Sequence, residues 1–552
     1  MAIAGDTQKF SESCQKADKY PLNLVLQGAS TGSLLAQRAF LRENAGDLFL
    51  QKSTVPLLEF RGEKSIRNSV TAKILRSDED FKDQFPDLTN RQQSTTRCRF
   101  VFLQAASSQA KLDVRLAHAK RIFTCFQVMP AYIDFVSVFA VKRADEEDIS
   151  DIRFSSFREH VSLSDEMRGL NLPQLGLSGR GYQLSYNLKS VANTAKEYPA
   201  RWTVVRNNRE QWSWSIRQAV FHHQFDIEHG TTLWILTTAR NYIQTRVEQL
   251  TGQTHNHAKS IDDETDFLEP RPQDRDFSTT EASFRASLAV HLVLAQYASE
   301  DWRGYLRWLE VMIEKMTGSA LTMTNYNPDM FKLTAVQITE DKINKAVLTL
   351  NANARVLESL DSFYRRLLDH PEFQANPRYK GYIDHFSMQL RDYVYDTRMF
   401  SERAQTLGKI VGDRKNLVQQ RLQARATDRV EKLTLQQHLE AKIMRVIAVM
   451  TLIYLPATFV STFFSTDIVK YQNGGGSGGS SGPKDGSSSD NGNDSTSFSG
   501  LALARWFEVT IPLTVLTFSV AIWWYYFWEP WNARLRAWWR GEDRPKDPEK
   551  MI

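Results

Sequence analysis

Cysteine is scarce. Cys14, Cys98 and Cys125 are the three in 552 residues, and none is part of a CxxC pair. That excludes a disulfide framework and a paired-cysteine zinc site, and it fits a reducing compartment. Charge of one sign is also in short supply: a net +5 over this length is too little to indicate nucleic acid as a partner. The first twenty residues, MAIAGDTQKFSESCQKADKY, lack an apolar secretory run and are too acidic and too poor in arginine for a transit peptide, so they are expected to stay in the cytosol. No nucleophile, base and oxyanion set can be assembled from any motif, so no enzyme is expected. Proline is missing between Pro377 and Pro456.

What is present is an ordinary globular composition, 42% hydrophobic and 24% charged, enough for two or three domains. Between residues 20 and 250, short apolar runs alternate with turn residues. Strands are expected at Arg99 (RFVFLQA), Tyr132 (YIDFVSVFAV), Tyr182 (YQLSYNL), Arg201 (RWTVVR) and Leu233 (LWILTT), with a helix over Leu112 to Phe126. Residues 1–275 are thus expected to form a cytosolic α/β domain ending in a polar linker from Thr251 to Thr280 that carries Pro270 and Pro272. Two antiparallel helices, Glu281 to Met316 and Thr334 to Asp369, joined through Asn327 and Pro328, fill residues 276–380.

The proline-free stretch reads as one helix, mildly interrupted near Gly408 and Gly412, with apolar residues from Met388 to Leu439 keeping a heptad-like beat. From Ile383 to Ser465 it would be roughly 120 Å long at 1.5 Å per residue. Residues 381–445 form its stalk. Residues 446–465 carry no charge from Val446 to Phe464 and are long enough to cross a bilayer. A second span over 507–528 ends in the interfacial sequence WWYYFWEPW and rules out a buried core helix. Between the spans, residues 466–506 form a Gly/Ser-rich loop that is expected to be flexible and holds a glycosylation sequon at Asn493. The tail, 529–552, holds Arg534, Arg536, Arg540, Arg544, Lys546 and Lys550, so the positive-inside rule puts both termini in the cytosol. The class is therefore an α+β membrane protein: a cytosolic α/β domain, a long helical stalk and two C-terminal transmembrane helices, its first partner the lipid bilayer.

At 100° per residue, Thr451, Thr458, Thr462 and Ser465 fall on one side of the first span, with Met444, Ile447 and Leu455 continuing that face. The opposite side is aliphatic and is expected against the second span and lipid. Two readings of the hydroxyl stripe stand: glue between helices, or the lining of a conduit built from several copies. Two helices cannot enclose a pore alone, so the conduit requires a homo-oligomer.

The segment TLIYLPATFVSTFFSTDI, Thr451 to Ile468, resembles the first membrane helix of the CorA-type magnesium transporters through Leu455, Pro456, Thr458 and Phe459, with Tyr454 and Phe464 as its aromatics. The order of parts agrees, and SIRQAVFHHQFDIEHGTTLWILTT is similar to segments of fungal CorA-like proteins. The resemblance implies a homopentameric funnel that passes magnesium or another divalent cation, with Met444, Ile447, Leu455, Thr458 and Thr462 on the pore. The plasma membrane is the favoured location. Where the family carries Gly-Met-Asn at the pore mouth, this chain has Ser465, Thr466 and Asp467. Five copies of Asp467 would gather hydrated divalent cations but change selectivity; the same aspartate also fits a solvated helix end. The missing motif motivates a rival function, a non-conducting membrane-anchored signalling or scaffold protein.

Other polar clusters are read as structural. Asp262, Asp263, Glu264 and Asp266 are taken as a solvated linker rather than a site for a regulatory divalent ion. His222 and His223 should point to opposite faces of a strand, and with His229, His255 and His257 they show no metal-ligand spacing. The Gly176–Gly181 run GLSGRG lacks the Lys-Ser/Thr of a phosphate loop and reads as a turn.

Overall fold

The structure is a computed structural model that describes residues 2–25, 30–61, 70–85, 96–139, 154–193, 214–252, 276–322, 333–465 and 500–523. The chain divides into two compact units, Met1–Gln419 and Gln420–Ile552.

The first unit is built on a seven-stranded sheet in the order β2-β1-β3-β7-β6-β5-β4. Its strands are β1 (Val55–Arg61), β2 (Val70–Leu75), β3 (Thr96–Ala105), β4 (Phe157–Ser162), β5 (Gly181–Asn193), β6 (Trp214–Asp226) and β7 (Thr232–Ala239). β3 and β7 pair in parallel and the other neighbours antiparallel. Side chains alternate across the pleat, so Phe100, Phe102, Trp234 and Leu236 enter one core while Val101, Leu103, Leu233 and Ile235 enter the other. Both faces are covered, which is why these strands read as unbroken apolar runs. One face carries α1 (Ala2–Gln15), α2 (Thr31–Glu43), α3 (Asp78–Gln84), α4 (Leu116–Cys125) and α5 (Tyr132–Val136).

The other face carries α6 (Tyr242–Leu250), α7 (Thr280–Ser299), α9 (Leu333–Leu367) and the start of α10 (Pro377–Ser465). α8 (Trp302–Thr322) joins α9 and α10 in a third core around Trp302, Leu306, Ile343, Leu350, Leu407 and Val411. Asn353 fastens α9 to the sheet, accepting from the Lys189 N–H at 3.0 Å and donating to the Lys189 carbonyl at 2.6 Å. Arg403 of α10 donates to both carboxylate oxygens of Glu310 on α8, at 2.9 and 2.8 Å.

Several expectations are corrected. The run from Tyr132 is not a strand but α5 followed by a 3-10 turn, Ser137–Phe139. Four of its five helical residues are buried, so its apolar run carried no period to separate helix from strand, and Pro130 just upstream favours helix initiation. The helix expected over Glu281 to Met316 is two, α7 and α8. Between them Asp301 has a left-handed φ of 63°, and the Trp302 indole donates to the Ala298 carbonyl at 2.8 Å across the break. α10 starts at Pro377, whose missing N–H costs nothing in a first turn, and passes Gly408 and Gly412 without a break. The strand expected at Arg201, the Asn327–Pro328 junction, the acidic run and most of the polar linker lie outside the described residues.

His222 and His223 do face opposite sides. The His222 ring bonds the Ser185 hydroxyl at 2.8 Å; His223 bonds Thr232 at 3.1 Å and His291 at 3.2 Å, and His291 bonds the Tyr186 hydroxyl at 2.7 Å. Around the His223–His291 pair lie Trp234, Tyr182 and Tyr364, none of them charged at neutral pH. Burial pushes all three imidazoles down, His222 and His291 to about 3, so the fold keeps them neutral. Unfolded histidine titrates near 6.5, so as pH falls below that value the unfolded chain takes up these protons first. Their contribution is intact above about pH 6.5 and falls by up to about 1.4 kcal/mol per pH unit for each histidine below it. Denaturant unfolding of the full chain in detergent at pH 7.5 and pH 5.5 should show this loss, with His222→Phe flattening the slope; a profile equally steep in wild type and variant contradicts it.

Candidate functional site: the membrane hairpin

The second unit contains the C-terminal part of α10 and α11 (Gly500–Trp523), each with a segment long and apolar enough to cross a membrane. Both continue through an internal proline, Pro456 and Pro512. α11 starts seven residues before the expected span, because Gly500 to Trp506 is already helical.

The two helices meet through the aliphatic side of α10. Pro456 and Val460 are buried there, Val460 to 3% exposure, and the Trp506 indole of α11 donates to the Ser461 hydroxyl at 3.2 Å. On α11 the facing residues are Thr510, which is buried, and Leu513, Thr514 and Thr517, which are half-buried. These threonines escaped the sequence reading, although a helical wheel of the second span would have gathered them. Each donates to a carbonyl of its own helix: Thr510 to Trp506 at 2.6 Å, Thr514 to Thr510, and Thr517 to Thr514 at 2.8 Å. The α11 threonines thus pack against α10 while their protons stay on their own helix.

The stripe read from the first span lies on the other side of α10. Thr451, Thr458 and Thr462 are exposed, as are Met444 at 67%, Leu455 at 68% and Ile447. The Thr451 hydroxyl donates to the Ala448 carbonyl at 2.9 Å. Thr458 is placed to donate to Tyr454 (2.9 Å) or Leu455 (3.0 Å), and Thr462 to Thr458 or Phe459 (both 2.9 Å). A hydroxyl has one proton and two lone pairs, so a threonine bonded this way presents an acceptor outward. Ser465 ends the helix. Thr466, Asp467 and the loop with Asn493 lie outside the described residues.

Before the span, the apolar beat of α10 is buried at Leu407, Val411 and Val418 but exposed at Val430, Leu433 and Leu439. Elsewhere, GLSGRG is a turn, with Gly176 and Gly179 at φ of 69° and 83°. The Ser178 N–H and hydroxyl are taken by Asp226 at 2.6 and 2.8 Å, so a carboxylate occupies the donors a phosphate would need. Among the described residues, no group of three or more His, Cys, Asp and Glu side chains could hold a metal ion.

The profile of the CorA-like transporters matches residues 12–321, more than half of the chain. The chain belongs to the CorA-like transporter family. The match covers the sheet domain with α7 and α8, and it stops before the helix that carries the stripe. With two apolar helices of spanning length in a transporter family, this CorA-like chain is an integral membrane protein.

Among solved structures, the soluble domain of CorA from Methanocaldococcus jannaschii is 11% identical, covers 65% of this chain and 95% of that one, and superposes with a TM-score of 0.32. The full-length CmaX protein is 10% identical over 84% of this chain and 97% of its own, TM-score 0.28. The complete CorA magnesium transporter from M. jannaschii is 8% identical over 86% and 98%, TM-score 0.28. Comparison with curated proteins gave no match.

The hairpin geometry predicts a cross-linking pattern. With cysteines at positions 461 and 506, a short bismaleimide should bridge the two helices within one chain. Cysteines at 458 and 506 should not be bridged within a chain, because Thr458 faces away from α11; equal intrachain yields on a denaturing gel would contradict this arrangement.

Proposed function

We propose that this protein is a homo-oligomeric, gated conduit for divalent metal cations, magnesium first among them, with the Met444, Ile447, Thr451, Leu455, Thr458 and Thr462 face of α10 on the pore. The observation that carries this reading is the outward threonine stripe on the side of α10 opposite α11. With their protons directed to the backbone, these hydroxyls offer lone pairs, and the water shell of a cation points its hydrogens outward to meet them. Magnesium sheds water reluctantly, so rings that accept from bound water suit it better than rings that must replace water. Leu455, between Thr451 and Thr458 on the same face, supplies an apolar constriction of the kind that gates by excluding water.

Family membership supports a transport role, and the uncovered Val430, Leu433 and Leu439 on α10 support assembly into the pentamer that the resemblance implies. Ser465, Thr466 and Asp467 take the place of the selectivity motif, with Asp467 holding a hydrated cation at the mouth. Both termini are assigned to the cytosol and the protein to the plasma membrane. The charge distribution around the spans supports the orientation.

Flux of magnesium into proteoliposomes, followed with an entrapped indicator, tests the proposal. Wild type should conduct. Thr458→Val with Thr462→Val should cut flux at least tenfold while the oligomer stays intact on size-exclusion chromatography. Asp467→Ala should shift the preference between magnesium and larger or monovalent cations. A wild-type protein that passes no divalent ion under any gating condition is the outcome that favours a scaffold.

A further inference from the structure

A second site lies in the first unit, away from the hairpin. A cavity of about 300 Å³ opens between the loop after β3, the start of β6, Tyr305 of α8 and one face of α9. That is the lower end of the range, roughly 300–1,000 Å³, in which small-molecule sites fall. Its lining carries three cations, Arg217, Lys342 and Lys345, and no carboxylate among the described residues. Lys342 and Lys345 are three residues apart on α9, so their ammonium groups reach the same side of the helix.

The polar atoms of the lining also fit a ligand. Ser215 Oγ and Gln218 Oε1 are buried without a hydrogen-bond partner among the described residues, and Gln218 is only 4% exposed. A buried polar atom left unpaired costs free energy that a bound polar group would recover. Ser108 Oγ accepts from the Gln218 N–H at 3.1 Å, which leaves its own proton to donate into the cavity. The apolar part of the wall is aromatic. Trp214 and Tyr305 meet with ring centroids 5.9 Å apart, and Trp214 lies so close over Gly304 that a Cβ there would come within 3.0 Å of the indole. Gly304 thus admits the indole against the α8 backbone and fixes its face.

We propose that this cavity binds a nucleoside phosphate, the phosphates against Arg217, Lys342, Lys345 and the Ser108 hydroxyl, and the base against Trp214 and Tyr305. Converging cations satisfied by charge-assisted hydrogen bonds are the chemistry of phosphate recognition, and the Trp214 and Tyr305 rings beside them, tilted 52° to one another, favour a ligand that carries a ring. The assignment is independent of ion conduction.

The test is calorimetric titration of the full chain in detergent with ATP, tripolyphosphate and adenosine, in EDTA so that chelation of metal contributes no heat. ATP should bind, tripolyphosphate should bind at least tenfold more weakly, and adenosine should not bind at millimolar concentration. Lys342→Ala with Lys345→Ala should weaken ATP at least tenfold, with its thermal midpoint in the absence of ligand compared with wild type to exclude misfolding; Lys345→Glu alone provides a second variant, and the exposed Lys409→Ala should bind like wild type. No ATP binding, an affinity unchanged in both lysine variants, or tripolyphosphate as tight as ATP overturns the proposal.

Discussion

A hydroxyl placed in hydrocarbon must direct its proton somewhere, and in both spans of this chain it goes to a carbonyl three or four residues back on the same helix. That local solution frees the threonines from needing a partner chain, so where they point is decided by the other residues of each helix. On α11 they lie under Trp506 and against α10, where a small side chain allows close approach. On α10 the hairpin is closed by Pro456 and Val460, and the threonines are left on the far side. The same residue type therefore serves packing in one helix and presents an acceptor surface in the other.

The first unit obeys a different constraint. Its sheet is covered on both faces, so every strand residue of β7 is buried and polar groups inside must be paired internally. Asn353 meets this demand where α9 crosses β5, and the Glu59–Arg99 ion pair, 2.8 Å long, meets it between the directly opposed residues of β1 and β3. The neutral histidines belong to the same scheme. His223 and His291 share a hydrogen bond among aromatic rings, which holds α7 to the sheet without burying a charge. At the buried Lys189, desolvation lowers the ammonium to about 8, and its Nζ donates to the Phe154 carbonyl at 2.7 Å.

How far the sequence could be read depended on whether local pattern or distant packing decided each element. β3, β5 and β7 were legible because β-branched and aromatic residues bounded by turn residues leave little alternative. The Tyr132 run was not, since a segment buried on all sides shows neither a period of 2 nor one of 3.6. The α7–α8 break was equally hidden: Glu300 and Asp301 are ordinary helix-surface residues by type, and the turn is fixed by Trp302 entering the three-helix core and by Arg246 bonding Glu300. In the hairpin, α10 is regular through Pro456, so the wheel could place Val460 on the side that packs against α11, although Val446, Val449 and Ile453 of that side are exposed. The role of α11 was missed because its threonines are interleaved with leucine and valine, and only the facing helix makes them interior.

Family membership and the membrane-helix part of the resemblance rest on different parts of this chain, and the difference bears on specificity. The motif that suggested a CorA-like transporter, Leu455 to Phe459, lies in the first span, whereas the profile match ends at residue 321. A fold and its cargo can diverge independently, since the sheet domain is maintained by packing while ion choice depends on a few oxygens at the mouth of a pore. Replacing an amide ring by Asp467 would change the mouth from neutral acceptors to fixed charge. Fixed charge raises the local concentration of every cation and divalent ions most, because attraction scales with ionic charge. On the proposed function, discrimination among divalent ions would then fall to the neutral stripe, where Thr462, Thr458 and Thr451 would weigh the size and tightness of a hydration shell. Under the proposed function the aspartate would govern how many ions arrive and the threonines which of them pass, so the absence of Gly-Met-Asn would relocate selectivity along the pore without requiring that conduction be lost.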